Sequence, residues 1–314
     1  MLFRSATIVA GGIAERMKFK CYLIYSFLIS ATIYPVVGHW IWGGGWLSKL
    51  GFGDFAGSTV VHAVGGTAAL VGTMILGPRI GKFNKDGSAN AIEGHSMALA
   101  SLGALILWFA WFGFNPGSTL SVGDGSLMAK VAMNTNIAAA AGALVAMFFA
   151  WNKFGKPDLS MTMNGALAGL VAITAPCSYI LPYESAIIGA VAGIIVVLGT
   201  VFLDKLLIDD PVGAVPVHMM NGIWGTLSVG IFGHQALGLS RDGLLHGGGF
   251  TQLGVQALGV GAVVVFVAAG MTLIFKLIDR SMGLRVSRED ELKGLDISEH
   301  GMEAYAGFQI FTTK

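Results

Sequence analysis

Two histidines recur in matching sequence contexts and are the strongest candidates for chemistry in this chain. His62 lies eight residues after Asp54, and His218 lies eight residues after Asp210, with a glycine and a valine at matching offsets in each copy. Both lie in long apolar runs, where an ionisable side chain is costly and therefore indicates function. Paired neutral imidazoles can pass hydrogen bonds or a proton along a narrow apolar path. The alternative is a hydrogen bond that only packs two helices.

The elements that position these histidines are apolar runs of membrane-spanning length. The chain has 314 residues, of which 54% are hydrophobic and 12% charged, and its mean hydropathy is +0.71. Runs without Asp, Glu, Lys or Arg cover residues 21–48, 55–78, 94–123, 131–152, 159–183, 185–203, 211–240 and 243–275. Each reaches the roughly 20 residues that a bilayer requires, and none alternates as a barrel strand would. We therefore predict an all-α, polytopic transmembrane helical bundle with eight complete spans.

Basic residues alternate between the loops and predict the topology. One set of loops carries Arg16, Lys18, Lys20, Arg79, Lys82, Lys85, Lys153, Lys156, Lys205, Arg280, Arg285, Arg288 and Lys293. The opposite loops carry only Lys49, Lys130 and Arg241. The positive-inside rule places the first set of loops and the C-terminus in the cytoplasm. We expect a multi-pass protein of the cell membrane, that is, the plasma or inner membrane. The two histidine helices then start from opposite sides, which is an inverted repeat of the kind transporters use.

The repeat also predicts that the chain lacks its N-terminal end. The helix of His218 is the fifth counted from residue 94, whereas only one complete span and a fragment precede the helix of His62. Residues 1–14 are too short to cross a bilayer. We expect about two and a half N-terminal helices to be missing, which leaves a partial third helix.

Aromatic residues lie at the predicted outer ends of two spans. An indole face attracts a cation by roughly 0.5–2 kcal/mol, and the hydroxyl of Ser118 can accept a hydrogen bond from one. Trp42 and Trp111 could therefore recruit a small cation, although tryptophans also form the interfacial aromatic belt. Asp54 adds a negative charge on this side, and its alternative role as a helix N-cap comes first.

Several classes of function are not expected. The balance of 19 basic against 18 acidic residues argues against nucleic-acid binding. No nucleophile–base pair, phosphate loop or metal-ligand spacing is visible, so we expect neither an enzyme nor a cofactor or metal site. The remaining histidines, among them His39, His95, His234 and His246, are interpreted as loop or interfacial residues.

Long motifs in the chain resemble those of a known family. The stretches at 14–19 (AERMKF), 39–45 (HWIWGGG), 54–62 (DFAGSTVVH) and 111–115 (WFGFN) are similar to the Amt/Mep/Rh ammonium transporters. The tail stretches at 283–286, 294–296 and 298–301 resemble the bacterial and archaeal Amt branch rather than the Rh-type gas channels. The resemblance implies an eleven-helix, trimeric channel-like transporter, of which this chain would hold the partial third helix through the eleventh.

The resemblance also implies an outer substrate site. Residues that match Trp42, Phe114 and Ser118 shape a site for ammonium in the family, and the residue that matches Asp54 supports binding and transport. The family's outer gate stacks two phenylalanines, and Phe114 matches one of them. The other would precede Met1, so an intact gate is not expected in this chain.

A pore follows from the same resemblance. His62 and His218 match the twin-histidine pair, and Trp111 matches a pore-lining residue. We expect ammonium to lose its proton and to cross as ammonia, with or without a coupled proton, because a pore that only attracted cations would also pass potassium. Methylammonium is a further candidate substrate. An ammonium sensor of the same fold and a non-functional fragment are the alternatives.

Two segments and two kinds of partner are implied. Residues 1–280 form the transmembrane domain and residues 281–314 a cytoplasmic tail, which in Amt proteins couples the subunits and takes part in control by a PII-type signalling protein. We therefore expect a homotrimer in a lipid bilayer with a PII-type protein at its cytoplasmic face.

Overall fold

The protein is described by a computed structural model that covers residues 2–305. Its α-helices are α1 Leu2–Ile13, α2 Phe19–Leu28, α3 Tyr34–Ile41, α4 Trp46–Leu50, α5 Val64–Leu76, α6 Met97–Phe114, α7 Gly125–Phe154, α8 Leu159–Ile173, α9 Pro182–Lys205, α10 Asn221–Phe232, α11 Thr251–Met282, α12 Arg288–Lys293 and α13 Leu295–His300. The described residues contain no strand beyond two isolated bridges. The all-α prediction is therefore confirmed.

The apolar runs form the long helices of the bundle. Within the described range, six helical segments are long and apolar enough to cross a membrane: Phe19–Leu50, Ser58–Leu76, Met97–Thr119, Gly125–Phe154, Pro182–Lys205 and Thr251–Met282. The predicted spans at 159–183 and 211–240 are not among these six, because α8 is a shorter apolar helix of 15 residues and α10 has 12 residues. The chain is thus a multi-pass membrane protein, as its composition predicts.

Two run boundaries differ from the prediction because glycine ends or delays the helix. In the run 211–240, α10 stops at Phe232 and a loop follows. In the run 243–275, helix α11 begins only at Thr251, after Gly247 and Gly249 adopt positive φ angles of 86° and 63°. An uncharged run measures apolarity, whereas these glycines favour a turn.

Three segments of the described bundle are wound as π-helical turns. They are π1 Ile29–Ile33, π2 Ser58–Ala63 and π3 Val215–Met220, and each continues into the α-helix that follows. Pro35 lies just after π1 and Pro216 lies within π3. Proline has no N–H for the regular ladder, which favours a local change of winding at these two places.

The segments that carry the repeat run antiparallel. At one end, the side-chain amide of Gln256 donates to the carbonyl oxygens of Gly53 (2.7 Å) and Thr226 (3.1 Å), so the residues just before π2 lie near the middle of α10. At the other end, Arg79, which follows α5, pairs with Asp209, which precedes π3. We call these two ends the Asp54 side and the Asp209 side. The inverted repeat predicted from the sequence has this arrangement.

Candidate functional site

The two repeat histidines meet inside the bundle. Their Nδ1 atoms are 3.1 Å apart, and their rings stack with centroids 5.2 Å apart and planes 13° from parallel. His62 is buried and His218 is half-buried. At this separation one imidazole donates its Nδ1 proton and the other accepts it, so at least one ring carries its proton on Nδ1. The pair can therefore relay a hydrogen bond between two helices.

Each histidine lies in a π-helical turn whose start is capped by the repeat's aspartate. The Asp54 carboxylate accepts hydrogen bonds from the backbone N–H groups of Gly57, Ser58, Thr59 and Val60 at 2.8–3.0 Å. The Asp54 side chain therefore caps the start of π2, which is the structural role expected for it from the sequence, while Gly57 occupies the N-cap position itself.

The second copy repeats this cap. Asp210 accepts from the N–H groups of Ala214 (3.0 Å) and Val215 (2.7 Å). Gly213 stands three residues after its aspartate, as Gly57 does, and both glycines have positive φ angles, 76° and 121°. Only glycine adopts such angles without strain, which explains why it occupies this position in both copies.

A glycine four residues after each histidine brings the two helices into contact. A Cβ on Gly66 would collide with the backbone nitrogen of Met219 and the carbonyl carbon of His218. A Cβ on Gly222 would lie 2.6 Å from the carbonyl oxygen of Ser58. Each glycine thus packs directly against the π turn of the other copy, and this close approach sets the distance between the histidines.

Aromatic rings continue the histidine stack. His62 lies 5.3 Å from Trp111 and 5.5 Å from Phe114 by ring centroids, with planes 15° and 21° from parallel. The indole Nε1 of Trp111 donates to the hydroxyl of Thr174 at 3.1 Å, which fixes the orientation of the ring. Trp111 and Phe114 are both buried. The four rings thus form one connected stack of nearly parallel planes.

The other two predicted recruitment residues, Trp42 and Ser118, form hydrogen bonds with the backbone of Asp54 and Phe114. The indole Nε1 of Trp42 donates to the backbone oxygen of Asp54 at 2.7 Å, and the Trp42 side chain remains 40% exposed. The Ser118 hydroxyl donates to the backbone oxygen of Phe114 at 2.8 Å and is half-buried. Trp42 therefore presents an open indole face beside the Asp54 cap, while Ser118 follows Phe114 by one turn.

The Asp209 side is held by a buried ion pair. Arg79 binds both carboxylate oxygens of Asp209 through Nε (2.8 Å) and Nη2 (3.0 Å), with side-chain exposures of 7% and 0%. Burial favours the neutral acid, but the hydrogen bonds and charge of Arg79 outweigh it and hold the pKa of Asp209 below its ordinary value of 3.8. Burial lowers the pKa of the neighbouring Arg16 to about 10, so both guanidinium groups stay charged at neutral pH.

The C-terminal segment packs on the Asp209 side. Arg285 donates to the backbone oxygens of Leu76 (3.0 Å) and Pro78 (2.6 Å) and to the Glu291 carboxylate. Glu291 in turn accepts from the N–H of Ile80 at 2.8 Å. Further along, Glu299 accepts from the N–H of Phe19. The described part of the predicted tail, residues 281–305, thus contacts loops from both ends of the first repeat half; residues 306–314 lie outside the described range.

Sequence reasoning missed several polar residues that support this site. Thr174 orients Trp111, and the hydroxyls of Thr59 and Thr226 form a hydrogen bond of 2.5 Å between π2 and α10. The Gln256 side chain links the backbone at Gly53 to the backbone at Thr226. A single buried Thr or Gln in an apolar run is a weak signal, although all four residues interrupt otherwise apolar helix stretches.

Comparison with known proteins agrees with the fold and the motifs. The profile of the Ammonium Transporter Family matches residues 2–305. The chain is 50% identical to ammonium transporter Amt2 of Archaeoglobus fulgidus, covering 99% of this chain and 69% of the relative. It is 40% identical to ammonium transporter Amt1 of Haloferax mediterranei, covering 97% of this chain and 61% of the relative.

Among solved structures, one described as a Sensor Amt Protein superposes with a TM-score of 0.89 at 41% identity, covering 95% of this chain and 74% of that one. The chain spans about two thirds of the length of the curated relatives that it matches. The motif resemblance, the sequence matches and the superposition agree, and the chain belongs to the Ammonium Transporter Family.

Proposed function

We propose that this protein transports ammonium across a membrane and is not an enzyme. The observation that carries the proposal is the stacked pair of His62 and His218, joined Nδ1 to Nδ1 at 3.1 Å. The aromatic residues Trp111 and Phe114 continue the stack on the His62 side. The names of the relatives, which are ammonium transporters, support the same substrate.

The recruitment site lies on the Asp54 side, which we place outside the cell. Trp42 offers an exposed indole face to a small cation, with Phe114 and Ser118 one helical turn apart on α6 and the turn that follows it. Asp54 acts by holding the local structure in place. Its carboxylate accepts hydrogen bonds from four backbone N–H groups, and its backbone oxygen accepts one from the Trp42 indole. Its support of transport is thus a positioning role.

Selection against potassium requires that the solute lose its charge. Ammonium and potassium carry the same charge at similar size, and dehydrating a full charge in an apolar path is prohibitively costly. Ammonium therefore gives up its proton near the recruitment site and passes the histidines as ammonia. The Nδ1–Nδ1 contact gives the proton a path along the imidazoles, so transport with a coupled proton is the favoured form. Methylammonium is a second substrate of the same chemistry.

Lipid and further copies of the chain are the proposed partners of the outer helix faces. Helix α11 exposes Leu258, Val265 and Leu273 at seven- and eight-residue spacing, each more than half exposed. Such a stripe on one helix face requires lipid or another subunit. We propose a homotrimer in the cell membrane, which native mass spectrometry in detergent would test directly.

Regulation is assigned to the tail. We propose residues 1–280 as the transport domain and residues 281–314 as a cytoplasmic tail that binds a PII-type protein. The contacts of Arg285 and Glu299 with the loops beside α1 and α5 support this division, because they connect the tail to the helix that carries His62. A sensor function is the second candidate, favoured by the likeness to the structure described as a Sensor Amt Protein.

The test is current on a solid-supported membrane that carries the purified chain in liposomes, with ammonium and potassium jumps compared. An ammonium current that exceeds the potassium current and is lost or loses selectivity in His62→Ala and His218→Ala supports the proposal. The exposed His39→Ala is the matched control. If both pore variants matched the parent in flux and in exclusion of potassium, the twin-histidine role would be wrong. Saturable ammonium binding without flux would favour the sensor.

A further inference from the structure

Three side chains with metal-binding atoms converge on the Asp54 side, away from the histidine pair. Glu184 lies in the first turn of α9, His234 lies two residues after the end of α10, and His246 ends the short 3₁₀ turn Leu244–His246. The ligand atoms of the three all lie within 4.8 Å of one another. The chain thus brings one carboxylate and two imidazoles together from three separate segments.

The geometry aims both imidazoles at the same carboxylate. The Nε2 atom of His246 is 2.8 Å from Oε1 of Glu184, and Nε2 of His234 is 3.2 Å from both carboxylate oxygens. The two rings stack with centroids 3.7 Å apart. Both Nε2 atoms therefore face the Glu184 carboxylate, where one divalent ion can contact all three side chains; without an ion, the Nε2–H groups of neutral imidazoles donate to that carboxylate.

The contacts around Glu184 hold its carboxylate in place. Oε2 accepts from the backbone N–H of Leu181 at 2.7 Å, and Oε1 lies 3.3 Å from the Tyr183 hydroxyl. The side chain is 1% exposed, whereas His234 and His246 are 18% and 24% exposed. Supporting hydrogen bonds of this kind orient metal ligands. Because both imidazoles are partly exposed, solvent can supply water as a fourth ligand.

We propose that Glu184, His234 and His246 bind a zinc-class divalent transition-metal ion. Two histidines and one glutamate with an open fourth position are a known zinc ligand set. Zinc–ligand distances of about 2.0–2.1 Å in a tetrahedron place ligand atoms roughly 3.3 Å apart. The observed distances of 2.8–3.2 Å from the Glu184 oxygen to the two Nε2 atoms need to open by only a few tenths of an ångström, and all three ligand atoms lie within 4.8 Å of one another.

The bound ion would fasten the loop between α10 and α11 to the start of α9. This loop carries Leu239, which is buried close to Gly53, the residue before Asp54. The backbone N–H of His234 also donates to the oxygen of Tyr179 at 2.9 Å, so the loop already lies against the α8–α9 connection. A metal clamp here would stabilise the Asp54 side without entering the histidine pore.

Zinc alone is the probe. The purified 314-residue chain is loaded with Zn²⁺, freed of excess metal, and assayed for bound zinc and for its thermal unfolding midpoint. We expect about one tightly bound zinc per chain and a raised midpoint. Glu184→Gln, His234→Asn and His246→Asn should each weaken zinc binding by more than roughly tenfold. His39→Asn removes an exposed histidine on the same side and should change nothing.

Cobalt gives a second, independent measurement. Co²⁺ in the parent protein should show the intense visible bands of four-coordinate cobalt, and each of the three ligand variants should lose them. Absence of stoichiometric zinc, or zinc binding that is equal in the parent and all three variants, would overturn the proposal and leave a hydrogen-bonded Glu–His–His group. Neither measurement depends on ammonium transport.

Discussion

Gly66 and Gly222 each pack against the π-helical turn that carries the other copy's histidine. The contact is reciprocal, because each glycine stands four residues after its own histidine and beside the backbone of the opposite turn. The distance between His62 and His218 therefore depends on the absence of a side chain at both glycines.

This contact predicts that Gly66→Ala and Gly222→Ala destabilise the bundle by about 1–3 kcal/mol each, as overpacking does. Both should also disturb the histidine pair and lower ammonium flux. The measurement is thermal unfolding in detergent together with the ammonium current. Gly103→Ala is the matched control, because no atom lies within 4 Å of a Cβ at that helical position, and it should unfold like the parent or slightly higher.

A substitution at Asp54 can distinguish its capping hydrogen bonds from its negative charge. Asp54→Asn keeps the size of the side chain but replaces Oδ2 with an amide NH₂. The backbone N–H groups of Thr59 and Val60, which now donate to Oδ2, would then lose their acceptor. Leaving such buried donors unpaired costs about 1–3 kcal/mol. We expect a lower unfolding midpoint and weaker ammonium currents. A variant that keeps the parent's midpoint yet loses transport would contradict the positioning role and assign the carboxylate a direct part in binding.

The Arg79–Asp209 pair predicts a pH-dependent stability. Because the pKa of folded Asp209 lies below its ordinary value of 3.8, its contribution is present above that pH and is lost as the pH falls through the lower, folded-state value. The unfolding midpoint of the parent should drop in this acidic window. Asp209→Asn should cost about 3–5 kcal/mol at neutral pH, since it leaves the buried Arg79 with only its ion pair to the exposed Glu15 (3.0 Å), and should flatten the acidic drop.

Glu93→Gln is the control for that experiment. Glu93 is exposed, so its variant should follow the parent in both midpoint and pH profile. An acidic drop of the same size in Asp209→Asn and in the parent would show that other carboxylates cause it.

Arg285 predicts how firmly the tail is attached. Arg285→Ala removes donors to Leu76, Pro78 and Glu291, so we expect faster amide hydrogen exchange over residues 284–300. Arg288→Ala removes an exposed arginine three residues away and should leave exchange unchanged. Equal exchange in both variants would mean that the backbone contacts of Lys18 and Val286 hold the tail without the side chain.

Much of the fold follows from the sequence because lipid leaves few choices. The absence of charge over eight runs predicts helices, and the matching offsets of Asp54 and Asp210 predict the inverted pair. The π turns could not be predicted, because apolar residues such as Val60 and Val61 suit an α-helix equally well and the winding depends on which carbonyl each N–H reaches. The contact between Glu184 and His246 could not be predicted either, because they lie 62 residues apart, one in the first turn of α9 and the other in a short 3₁₀ turn, with no ligand spacing.

The antiparallel repeat also has a consequence for biogenesis. His62 and His218 are 156 residues apart, and their helices enter the membrane in opposite directions. During translation the helix of His62 is therefore made first, and it lacks its partner while the four helices α6 to α9 are synthesised. The two histidines can come into contact only after the helix of His218 has been inserted in the opposite orientation. The Nδ1–Nδ1 contact therefore forms late in assembly. Its formation, followed by NMR of labelled imidazoles, reports that the two repeat segments have come together.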